Sequence, residues 1–117
     1  MKQEDRQLLL KDLSARLPYG VIVEIISYGD ETSGHWFGKL SCKDLDCFIH
    51  DVAYKSIKPY LRSMSSMTEE EEDTYRTLKW TKFEHEVVDW LNSNHFDYRG
   101  LIPMGLAIEA PKGMYNI

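Results

Sequence analysis

The run VIVEIISY, residues 21–28, constrains the fold more than any other stretch. It is rich in β-branched residues and reads as a strand. Alternation places Val21, Val23 and Ile25 on one face and Ile22, Glu24, Ile26 and Tyr28 on the other. Both faces are mostly apolar, which suits a central position in a sheet. The preceding segment has a different period. Leu9, Leu13 and Leu17 recur every four residues, with Leu10 beside them, so residues 3–17 read as an amphipathic helix. Lys2, Gln3, Glu4, Asp5, Lys11 and Asp12 supply its wet face, and Pro18 and Gly20 end it.

More strands follow. GDETSG, 29–34, is a turn-rich loop, and HWFGKLS, 35–41, reads as a second strand with Gly38 as a bulge or close-approach site. CKDLD forms a turn, and CFIHDV, 47–52, reads as a third strand. SIKPYLRSM, 56–64, is a short fourth strand that Pro59 confines to an edge. A capping box, Thr68 with Glu71, opens a helix over 69–78, exposed or frayed because only Tyr75 and Leu78 give it an apolar stripe. Phe83, Val87, Trp90, Leu91 and Asn94 share a face of a helix over 83–93, with Asn94 as its left-handed stop. The tail carries too many apolar residues to be free. It is expected to pack as an arm, with a helical turn before Gly105 and a short strand over 106–109.

The expected fold is therefore α+β: an N-terminal helix, a small bent antiparallel sheet or SH3-like open barrel, two further helices and a packed C-terminal arm. With 117 residues the chain reads as one domain, 1–117. At 43% hydrophobic and 28% charged it can build a core without staples. The net charge of −5, with no basic stripe, argues against nucleic acid as a partner. No apolar run is long enough for a membrane span, and no signal-peptide run opens the chain. The expected setting is cytoplasmic, with reduced thiols.

Candidate sites are few. His35, Cys42, Cys47 and His50 have the ligand types for zinc, but lack the paired CxxC knuckles of zinc ribbons, so no metal or other cofactor is expected. HEVVD, 85–89, misses HExxH by its last residue, leaving a His85–Asp89 pair across one helical turn. HFDYRG, 95–100, could form an acid/base site from His95, Asp97 and Arg99. Its structural reading is preferred: Phe96 and Tyr98 plug the core, Asp97 accepts backbone N–H groups, and Arg99 pairs with Asp97 or with helix carbonyls. Tyr60, Arg62, Met64 and Met67 are the residue types of a docking surface, on an edge-like segment.

At KDLSARLPYGV (11–21), IKPYLRSMSSMTEEE (57–71) and DWLNSNHFDYRGLIPMGLAIEAPKGMY (89–115) the chain resembles small uncharacterised proteins encoded by gut-bacterial genomes and their phages or prophages. The resemblance implies a bacterial or phage cytoplasmic setting and transfers no catalytic residue. The expected function is a non-enzymatic interaction or accessory module of a mobile element, acting on an unidentified protein. The alternative is a small metal-dependent or acid/base enzyme using the His/Cys set or HFDYRG. A third reading is an acidic mimic that occupies a nucleic-acid-binding protein. The oligomeric state is left open.

Overall fold

The computed structural model describes residues 2–27, 35–50 and 54–115. Its fold is α+β. Helix α1, Gln3–Arg16, runs into a 3-10 turn over Leu17–Tyr19, and Gly20 leaves that turn in the left-handed region (φ 70°). Strand β1, Ile22–Ser27, is central as its two apolar faces predict. It pairs antiparallel with β2, His35–Lys39, on one side and with β3, Tyr54–Leu61, on the other. The sheet order is β2-β1-β3-β4, and the two-residue β4, Ile108–Glu109, runs parallel to β3. The sheet is therefore mixed and not purely antiparallel. A parallel neighbour requires a long crossover, and the two helices and arm between β3 and β4 supply it.

Residues 42–49 correct the sequence reading. The expected turn and the first half of the expected strand 47–52 are one helix, α2, Cys42–Ile49, with His50 as its C-cap; residues 51 and 52 lie outside the described residues. Ser41 accepts the Asp44 backbone N–H at 3.2 Å, and Asp44 accepts that of Ser41 at 3.0 Å. This is the same reciprocal cap as at Thr68. Leu45, Phe48 and Ile49 follow helical spacing, and Phe48 enters the core. Arg6 ties α1 to this helix by donating to the Phe48 carbonyl and lying over its ring.

Pro59 has no N–H to give, yet β3 is flanked on both sides. Pairing with β4 begins only at Tyr60, one residue beyond it. At Pro59 itself the strand pairs with Val23 of β1. Gly38 is a close-approach site. A Cβ there would lie 2.6 Å from the Trp36 ring, so the missing side chain gives that ring its seat.

Helix α3, Glu69–Thr81, opens at the expected Thr68–Glu71 box and runs three residues further than expected. Its inner side packs: Tyr75 stacks on Trp90 with centroids 6.1 Å apart, and Leu78 joins the same cluster. Thr68→Ala removes one capped donor and is expected to cost about 1 kcal/mol, read by urea unfolding. Helix α4, Glu84–Ser93, starts one residue after Phe83, which is 76% exposed and not on the buried face. The main core joins Leu9 and Leu13 of α1, Val23 and Ile25 of β1, Phe48 of α2, Ile57 and Leu61 of β3, and Leu101 and Leu106 of the arm. A second cluster centres on Val87, Leu91 and Phe96. The segment between these clusters carries the polar residues of interest.

Candidate functional site

The exit from α4 is set by backbone geometry. Phe96 N–H donates to Leu91 at 3.0 Å and His95 N–H to Asn92 at 3.1 Å. This is a Schellman closure, whose C′ residue must be left-handed. That residue is His95 (φ 64°), one beyond the Asn94 expected from sequence. Phe96, Asp97, Tyr98 and Arg99 then fasten the segment, Arg99 through Asp12 and Tyr98 rather than through Asp97 or a helix carbonyl as expected. Phe96 is fully buried. The Asp97 carboxylate accepts the backbone N–H of Leu101 at 2.8 Å and of Ile102 at 2.9 Å, closing the next turn. Tyr98 donates its hydroxyl to Asn92 Oδ1 at 2.9 Å. Arg99 donates to Tyr98 Oη at 3.0 Å and, through Nε, to Asp12 Oδ1 at 3.1 Å.

Asp12 is the hub that sequence reasoning missed. Placed on the wet face of α1 by its residue type, it is fully buried, as is Arg16. Arg16 Nε donates to Asp12 Oδ2 at 2.8 Å, and its Nη2 donates to the Phe96 carbonyl at 2.6 Å. One carboxylate thus holds two guanidinium groups, one from its own helix and one from the arm. The Asp–Arg spacing of one helical turn was the available signal; the second arginine, 87 residues away, was not.

A second set of bonds docks this segment on the end of β3. Arg62 N–H donates to the His95 carbonyl at 2.7 Å, and Asp97 N–H to the Arg62 carbonyl at 2.8 Å. The Arg62 guanidinium is held by both oxygens of Glu71, at 2.8 and 2.7 Å, and lies 4.2 Å above the Phe96 ring. That bond keeps the Glu71 carboxyl below the usual carboxylate range, against the opposing effect of burial. Tyr115 extends the β1–β3 ladder where it ends. Its hydroxyl accepts from Ile22 N–H at 2.9 Å and donates to the Tyr60 carbonyl at 2.7 Å. Burial, the largest influence, raises the Tyr115 hydroxyl to about 12. Tyr115→Phe strands two backbone groups and is expected to lower stability by about 2 kcal/mol, measured by chemical denaturation.

The Tyr115 ring also covers His95, stacked at a centroid distance of 3.8 Å. Burial, then the charges of Arg16 and Arg62, depress the His95 imidazole to about 4. It is therefore neutral at pH 7. Among the described residues, His95 Nδ1 and Arg16 Nη1 are the buried side-chain nitrogens that lack a hydrogen-bond partner. An imidazole so placed contributes packing in its neutral form.

Beyond Tyr115 lies a cleft of about 420 Å³. Arg62, Ser63, Ser66 and Thr68 form one wall, and residues 109–113 with Tyr115 form the other. The cleft arises where β3 and β4 part after the Ala110 N–H bond to Leu61. Of the four docking candidates, Arg62 lines this cleft. Tyr60 and Arg62 are buried, and Met64 and Met67 are half-buried against the second cluster. Residues 60–67 therefore turn much of that apolar surface inward. The exposed large apolar side chains lie elsewhere, at Trp36, Phe37, Trp80 and Phe83 among others.

The remaining candidates are dispersed. Cys42 is exposed at the start of α2, Cys47 is half-buried on it, and His50 is its C-cap. Residues 42 and 47, five apart on a helix, point in different directions. The side chain of His35 lies outside the described residues. Among the described residues no three His, Cys, Asp or Glu side chains gather as a metal site would require. His50 sits 3.4 Å from Asp46 on the surface. In HEVVD, His85 stacks on Phe83 at 6.0 Å, and Glu86 caps the helix by accepting the Phe83 N–H. No helix among the described residues is long and apolar enough to cross a membrane. Comparison with protein-family models, with curated proteins and with solved structures finds no match.

Proposed function

We propose that this chain is a non-enzymatic interaction module, an accessory protein of a phage or other mobile element that works in the bacterial cytoplasm on a protein partner. The observation that carries the reading is the cleft between residues 62–68 and 109–113, which is large enough for one or two side chains of a partner. Its walls offer hydroxyls, the Glu71-paired Arg62, the charged side chains of Glu109 and Lys112, and short apolar residues. Among the described residues they hold no histidine and no thiol. The acid/base candidates of HFDYRG do not line the cleft: His95 is covered by the Tyr115 ring, Asp97 caps the next turn, and Arg99 is held in the α1–arm junction. Recognition by shape and hydrogen bonding fits such a surface better than bond-making does.

The test is capture from lysates of prophage-carrying gut bacteria, with the wild type and Ser66→Trp compared side by side. Ser66 is exposed on the cleft wall, so the bulky replacement fills the cleft without entering the core. A specific protein retained by the wild type and lost with the variant is the expected result. Equal capture by both, or capture by neither, removes the cleft reading.

A further inference from the structure

We propose that the cleft takes an extended segment of its protein partner as an added strand, bonded through the main chain to Ser63 on one wall and Ala110 on the other. This rests on the cleft being the docking surface, and adds what kind of chain docks there. Successive residues of a strand turn their N–H and C=O groups to opposite sides. Leu61 turns its carbonyl toward the arm, where it accepts the Ala110 N–H at 2.7 Å. Arg62 turns both main-chain groups the other way, onto His95 and Asp97. Ser63 is still extended (φ −63°, ψ 148°), so its N–H points back toward the arm. On the arm, Pro111 keeps Ala110 before it extended, so the Ala110 carbonyl faces β3 on the same side as its N–H. A continued parallel ladder would make Ser63 N–H to the Ala110 carbonyl its next rung. The strands part instead, and both residues line the cleft between them. Among the described residues neither group has a hydrogen-bond partner.

This donor and this acceptor select the occupant. Two consecutive residues of an inserted strand face opposite walls, so the first accepts the Ser63 N–H and the second donates to the Ala110 carbonyl. The segment takes up the ladder where β4 leaves it, which is strand addition. The chain cannot close the gap from the β3 side. The Ser63 carbonyl already accepts the Ser66 N–H at 3.0 Å and the Ser66 hydroxyl at 2.6 Å, and the 3-10 turn over Met64–Ser66 leads away from the strand direction. The side chains of the walls select weakly. Glu109 and Lys112 bring one charge of each sign, and Ser66 and Thr68 bring hydroxyls. Main-chain bonding therefore carries the recognition, and a segment of no net charge suits the walls.

The test pans random linear peptides displayed on phage against the full chain, then measures the selected peptide in solution by calorimetry. Ser63→Pro removes the N–H and keeps the backbone, because the φ that proline imposes matches that of Ser63. Arg62 before it bridges Phe96 as a strand residue, the conformation that a residue preceding proline favours. Ser63→Ala is the control that keeps the N–H and removes the hydroxyl. The expected result is a peptide whose affinity falls at least about tenfold with Ser63→Pro and is nearly unchanged with Ser63→Ala. N-methylation along the peptide, measured on the wild type, is expected to abolish binding at the one residue that meets Ala110. A peptide lost with Ser66→Trp but indifferent to Ser63→Pro and to every N-methylation overturns the added strand and leaves the cleft as a docking surface. A peptide indifferent to Ser66→Trp as well overturns both readings, and selection of no peptide overturns the added strand.

Discussion

Asp12→Asn is expected to destabilise the protein by about 3–5 kcal/mol, enough to unfold much of it if its stability is ordinary. The substitution changes one atom on a surface-type residue and leaves its volume intact. Its cost comes from what surrounds it. Arg16 is fully buried, and Arg99 is largely so. Their guanidinium groups approach the two oxygens of a single carboxylate at 2.8 and 3.1 Å. Asparagine presents one oxygen and one N–H donor, so one arginine would face a donor. The net charge of the buried cluster would also change from near +1 to near +2. The measurement is urea unfolding at pH 7 and moderate salt, with wild type, Asp12→Asn, Arg16→Met and the double variant forming a cycle. The double variant is expected to lose clearly less than the sum of the single losses, because each single change strands the other member. Additive losses would mean that the ion pair is not the source of the cost.

The second large effect is acid lability centred on His95. Its folded value, about 4, lies below the unfolded value of about 6.5. Between these two pH values the unfolded chain binds more protons than the folded one. Stability is therefore complete above about pH 6.5 and falls as the pH drops through the window, by up to about 3 kcal/mol when pH 4 is reached. Burial is the main cause, and the Arg16 and Arg62 charges add to it. Protonation would set a third cation beside two arginines and break no existing bond, so the penalty is electrostatic. Glu71 contributes in the same direction but at lower pH. Its carboxyl is held low by Arg62, so its stabilisation is lost only as the pH falls through that lowered value. The measurement is stability against pH from 7.5 to about 4 for wild type and His95→Asn. Asparagine tolerates the left-handed backbone at this position and does not titrate. The variant is expected to lose stability at pH 7 through the missing Tyr115 stack, and to show a flat profile where the wild type slopes. Parallel slopes would place the acid sensitivity elsewhere.

Both predictions concern residues whose importance comes from distant partners. Asp97 was readable as a turn acceptor because its partners are four and five residues away. The α3 cap was readable for the same reason: Thr68 and Glu71 are three apart, and the box is local chemistry. The α2 cap carries the same signal at Ser41 and Asp44, but the run Cys47, Phe48 and Ile49 is β-prone and points to a strand. Short apolar runs are ambiguous between strand and helix, since five or six residues barely complete one period of either.

Sequence alone determined the centre of this protein. Residues 21–28 alternate with both faces apolar, and the interior of a sheet is the stable place for such a strand. LPYG breaks the first helix, and the leucines before it face the core. Those outcomes depend on neighbours within a few residues and on burial of apolar surface, which the pattern itself encodes. The tertiary structure alone decided that Asp12 would be buried, that His95 rather than Asn94 would turn the chain, and that Tyr115 would complete the β1–β3 ladder. Each depends on a contact spanning 55 to 93 residues or on the exact closure of a helix end. A polar side chain is read as wet until its partners arrive, and here the partners arrive from the other end of the chain.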